Sequence, residues 1–126
     1  MILRLRSGQT LVVLLVFIGM AMAVISAAVA VVITNTQGSS RFETGQAAVG
    51  LAESGAEEAI LLLLRDPVYS GGALTTLDGT ATISVSGSDP KTIVSSAVVG
   101  GTGRKIQVVA GYTGGILTVQ TWREIE

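Results

Sequence analysis

Few residues in this chain could do chemistry, and their spacing narrows the choice further. The chain has 126 residues, a formal net charge of -1, no histidine and no cysteine. That removes the commonest general base and metal ligand, every thiol nucleophile and every disulfide. The remaining acids group as Glu53, Glu57 and Glu58. On a helix, residues 53 and 57 share a face, the arrangement paired carboxylates need, but no acid-base partner stands beside them and a solvated face accounts for them. A serine-lysine pair is the nucleophilic arrangement left open; Lys91 and Lys105 lie near several serines, and no spacing singles one out. Asp78 and Asp89 are isolated acids in turn-like contexts. A calcium site needs about six or more oxygen ligands, whereas turn chemistry explains both residues. The run Gly100-Gly-Thr-Gly-Arg-Lys105 has the look of a phosphate loop. Such a loop needs a Lys-Ser/Thr pair and a following helix, but Ile106 follows Lys105 and opens a strand-like segment, so a hairpin turn is expected. No catalytic, cofactor-binding or metal-ligating residue is assigned, no cofactor is implied, and an enzyme is not expected. The charge balance also excludes a strongly basic binder of nucleic acid.

The elements around these residues are clearer than the residues themselves. From Ser7 to Ser40 nothing carries a charge, and Leu11 to Ile33 is almost wholly apolar. As a helix that core is about 35 Å long, enough to cross a hydrocarbon layer of about 30 Å with some tilt. Arg4 and Arg6 precede it, and Arg41 and Glu43 follow it. Positive charge flanking a span stays in the cytoplasm, so the expected orientation is N-terminus in and C-terminus out. Within the span Gly19, Ala23 and Ala27 recur at four-residue spacing, which permits close helix-helix approach in lipid. Thr34 to Ser40 is polar and contains Gly38. It reads either as a loop or as a weakened stretch of one long helix.

Residues 41–66 form an amphipathic helical pattern, with Phe42, Val49, Ala52, Ala56, Ala59, Ile60 and Leu63 at three- and four-residue steps. Leu61 to Leu64 is apolar all round, which predicts burial on more than one side. Asp66-Pro67 ends the helix. Residues 67–79 read as a loop, with Gly71-Gly72 and Asp78-Gly79 as turn signals. From 80 to 126 the period becomes two. Ala81, Ile83 and Val85 share a face, as do Ile106, Val108 and Ala110; in the last segment Leu117 and Val119 fall on one face and Trp122 on the other. Four short strands joined by glycine turns make an antiparallel meander whose apolar face must be buried, and the helical stripe is the partner available. The expected fold is therefore α+β: a long N-terminal helix, membrane-spanning over 9–40, packed through its second half on a four-stranded antiparallel sheet.

The N-terminus carries a family resemblance. Arg4-Leu-Arg-Ser-Gly-Gln-Thr-Leu-Val-Val13 resembles the leader and cleavage region of a type IV prepilin, with residues 1–8 as the basic leader. The resemblance implies cleavage after Gly8 by a prepilin peptidase on the cytoplasmic side and methylation of the new amino terminus at Gln9. Gly50-Leu-Ala-Glu-Ser-Gly-Ala-Glu-Glu-Ala59 resembles the alanine- and glutamate-rich second half of the helix in minor pilins and pseudopilins, and the helix-then-sheet order is similar too. The resemblance also implies a structural subunit of a pilus-like filament, inserted in the inner membrane and then assembled with other pilin subunits outside the cell or in the periplasm. Gly19, Ala23 and Ala27 would be its filament-packing contacts. One departure stands out: members of the family usually carry a glutamate at the fifth mature position, and here that residue is Val13. This favours a minor, initiating or tip-located subunit. Two other readings compete. Ala21-Met-Ala23 and Ala28-Val-Ala30 fit signal-peptide cleavage, which would release a small binding domain; alternatively, the segment is an uncleaved single-pass anchor.

Overall fold

In the computed structural model, which describes the backbone of residues 2–126 and the side chains of residues 8–126, one helix precedes one sheet. Helix α1 runs over Ile2–Arg65. By compactness the chain divides after Ser40, and the two units are taken in turn.

The first unit is helical throughout its described residues, including Thr34 to Ser40, so of the two sequence readings the continuous helix is the one adopted. Three of its hydroxyls turn inward on their own helix. The hydroxyls of Ser26, Thr34 and Thr36 donate to the carbonyls of Met22, Ala30 and Val32 at 2.8, 2.9 and 2.9 Å. A hydroxyl satisfied four residues back leaves no orphan polar group in apolar surroundings.

In the second unit the helix continues from Arg41 and packs on the sheet. Ala48, Leu51, Ala52, Ala56, Ala59 and Leu63 are buried on the side that meets the sheet. Phe42, expected on this stripe, is 68% exposed; at 100° per residue it lies about a quarter turn from the buried line. The helix stops where the sequence predicts. Asp66 N–H still reaches Leu62 O at 2.7 Å, and then the Asp66 carboxylate accepts from Val68 N–H at 3.0 Å, an Asx-type turn around Pro67.

The sheet has five strands, not four: β1 Gly71–Thr75, β2 Thr80–Ser86, β3 Lys91–Val99, β4 Thr102–Thr113 and β5 Ile116–Ile125, in sequence order and antiparallel throughout. The added strand is β1. Gly71-Gly72, read as a turn, opens it and pairs with Ser84 and Ile83. Gly71 has φ +135°, and a Cβ there would collide with the Ile83 carbonyl, so a residue without a side chain is what lets the two strands meet. The β3–β4 and β4–β5 hairpins close through Gly100-Gly101 and Gly114-Gly115, all four at positive φ, the two-residue turn that matches strand twist. Consequently Thr102 and Gly103, assigned to the turn by sequence, belong to β4.

Ala81, Ile83, Ile93, Ala97, Ile106, Val108 and Ala110 form the sheet side of the core, with the faces assigned to β2 and β4 as expected. In β5 the expectation fails at one point. The register of β4 against β5 shifts between Val109 and Ala110: Ala110 pairs Val119, Val109 pairs Thr121, and Gln120 is the extra residue. A bulge resets the alternation. Trp122 therefore pairs with the buried Val108 and lies on the same face as Leu117 and Val119, not opposite them.

Candidate functional site

The residues that the sequence marks for processing and packing all lie on α1. Gly8 and Gln9 are helical and exposed, and a Cβ built on Gly8 would meet nothing within 4 Å. The flanking arginines Arg4 and Arg6 lie outside the residues whose side chains are described. Gly19, Ala23 and Ala27 lie along one face, each about 6 Å further along the axis and about 40° round from the last. All three are exposed, and Gly19 too has open space where a side chain would be. Val13 is exposed on the same helix. Every residue from Gly8 to Glu43 is exposed, and the most apolar stretch of the helix reaches a mean hydropathy of 2.8 with none of it buried. Length and composition make this a helix that could cross a membrane.

A second feature of the same helix is one that the sequence reading misses. Phe17, Met20, Val24 and Ile25 surround Ala21 and frame a shallow apolar furrow. At 100° per residue the furrow is centred well over a quarter turn from the Gly19–Ala23–Ala27 stripe. Its signal is one small residue among large ones at three- and four-residue steps. In a run this apolar, such a position is hard to tell from the rest by composition. The small-residue stripe and the furrow thus lie on different sides of the helix.

The second unit holds the polar groups. Glu53 and Glu57 are exposed. Glu58 is half-buried, and its Oε2 is shut from solvent with no hydrogen-bond partner among the described residues. Burial, and then the Glu58 carboxylate, raise the Tyr69 phenol above its ordinary pKa of 10.0. Lys91 is buried at the start of β3, whereas Lys105 is exposed. Ser96 pairs across the strands with Lys105 on the face away from the helix, and no hydrogen bond joins them among the described residues. Asp89 does turn work: its carboxylate accepts from Tyr112 N–H at 3.1 Å and from the Thr113 hydroxyl at 3.4 Å, tying the β2–β3 turn to the end of β4. Gly100 to Lys105 is the β3–β4 hairpin and the first residues of β4, with no helix after it.

The remaining contacts organise the sheet. Arg104 Nη1 meets Glu124 Oε1 at 2.8 Å with both side chains close to half exposed, a pair worth at most about 1 kcal/mol. Arg123 donates twice to Gln107 Oε1, at 3.0 and 2.8 Å. The arrangement thus offers apolar and small-residue surfaces for packing, and no convergent set of reactive groups among the described residues. Compared with models of known families, with curated proteins and with solved structures, the chain matches none.

Proposed function

We propose that this chain is a structural subunit of a type IV pilus-like filament, of the minor pilin or pseudopilin kind. It enters the inner membrane as a prepilin, N-terminus in the cytoplasm, is cleaved after Gly8 by a prepilin peptidase, and joins other pilin subunits through its hydrophobic helix outside the membrane. It has no catalytic role and needs no cofactor. The observation that supports this most is the helix surface from Leu11 to Ile33, almost wholly apolar and exposed at every residue. Lipid and a bundle of neighbouring helices are both dry, so one apolar surface serves before and after assembly.

The test is Ala23→Phe. A bulky ring on the small-residue face leaves the helix as apolar as before, so membrane insertion stays at the wild-type level while incorporation into sheared filaments falls at least tenfold. Wild-type incorporation of this variant contradicts the proposal.

A further inference from the structure

The bulge in β5 does more than turn Trp122. It leaves Gln120 as an extra residue opposite β4, and a bulge re-aims a side chain that regular alternation would send elsewhere. Here the Gln120 amide reaches over Gly111. Ala110 is buried toward the helix, so its neighbour Gly111 lies on the opposite face of the sheet. A Cβ on Gly111 would stand 3.0 Å from Gln120 Nε2 and 3.8 Å from Asp89 Oδ1. Two polar groups, one from β5 and one from the β2–β3 turn, thus converge over a floor that glycine leaves open. Around this point lies a hollow of about 540 Å³, within the range of small-molecule sites. Thr113, Ile116 and Thr118 complete its lining. The register puts them on the same face, since Gly111 pairs Thr118 and Thr113 pairs Ile116.

We infer that this hollow binds a neutral saccharide. The inference does not depend on the filament reading. The chemistry of the lining selects the ligand. One carboxylate is too few for a calcium-like cation, which takes about six or more oxygens. No cationic side chain lines the hollow, so an anion meets no counter-charge there. What the lining does offer is a fixed charged acceptor, an amide that both donates and accepts, and two hydroxyls. Asp89 is held in place: its Oδ1 accepts from Tyr112 N–H and its Oδ2 from the Thr113 hydroxyl. A carboxylate has about four acceptor positions, so each oxygen keeps one for a ligand. The Gln120 amide makes no hydrogen bond within the chain among the described residues. Neighbouring hydroxyls of a sugar ring supply the donors that Asp89 lacks, and hydrogen bonds to a charged acceptor are the stronger kind. Ile116, 68% exposed at the rim, gives the C–H face of the ring an apolar surface.

The test uses the full-length chain, labelled with nitrogen-15, in a zwitterionic detergent without a sugar headgroup. Mannose, galactose and N-acetylglucosamine are titrated separately, and ethanolamine serves as a small cation. The expected result is a saturable shift of the Gly111, Thr118 and Gln120 amide resonances with at least one sugar, half complete at about 10 mM or below. Gln120→Ala removes a hydrogen-bonding group at an exposed position and weakens that sugar about tenfold. Gly111→Ala raises the floor and weakens it as well. In both variants the Ile106 and Val108 resonances stay in place, which shows the core intact. Three outcomes overturn the inference. One is no saturable shift with any of the three sugars up to about 100 mM. Another is unchanged affinity in Gln120→Ala. The third is a response to ethanolamine alone, which would make Asp89 the centre of a cation site.

Discussion

At Gly55 the helix comes so close to the sheet that a single methyl group matters. A Cβ there would overlap the Ser95 hydroxyl and stand 3.1 Å from Ala81 Cβ. Ser95 is fully buried, and its Oγ has no hydrogen-bond partner among the described residues. Glycine costs a helix about 1 kcal/mol against alanine, yet overpacking a tight contact costs about 1–3 kcal/mol, so the second effect wins. Gly55→Ala is expected to destabilise the sheet-bearing unit by about 1 kcal/mol. Ser95→Ala removes the overlapping, unpaired hydroxyl and is expected to be neutral or stabilising. The two changes are then coupled: Gly55→Ala costs less in the Ser95→Ala background than alone. Denaturation of the full chain in detergent, followed by near-ultraviolet circular dichroism, reads all four corners of this cycle. Equal costs in both backgrounds would show that the close approach is not what selects glycine. The sequence gives no sign of this, because the reason for glycine lies forty residues away on strand β3.

At the scale of elements, legibility depends on how many residues vote. The long helix and the faces of β2 and β4 are readable because each rests on a repeated pattern. The misreadings rest on single residues. One strand is hidden behind Gly71-Gly72, a turn signal that here serves close strand pairing. The face of Trp122 is inverted by one extra residue, Gln120, which alternation counting cannot see. Thr34 to Ser40 is ambiguous because its hydroxyls suit either a loop or a helix that back-bonds them, and local propensity does not decide between the two. Helicity in this stretch has its own test. Gly38 is exposed with open space around it, so Gly38→Ala should strengthen the helix locally by about 1 kcal/mol. Amide exchange of the segment slows about fivefold as a result. Unchanged exchange would mean that the stretch behaves as a loop.

For the whole molecule the balance of surfaces is the main fact. The second unit has a core that closes on itself, whereas the first presents an apolar helix to whatever surrounds it. Large exposed apolar surfaces mark membrane or protein contacts, and this helix is long and apolar enough to cross a membrane. The small-residue stripe of Gly19, Ala23 and Ala27 is legible in the sequence; the furrow around Ala21 is not, because it depends on which neighbours frame it in three dimensions. If the helix belongs to a processed filament subunit, as proposed, the first step of its assembly leaves a covalent mark. The most direct measurement is the intact mass and N-terminal sequence of the protein from its native membranes. Processing after Gly8 predicts a chain that begins at Gln9 and carries one added methyl group. A chain that begins at Val24 or Val31, as signal-peptide cleavage after Ala23 or Ala30 would give, contradicts it.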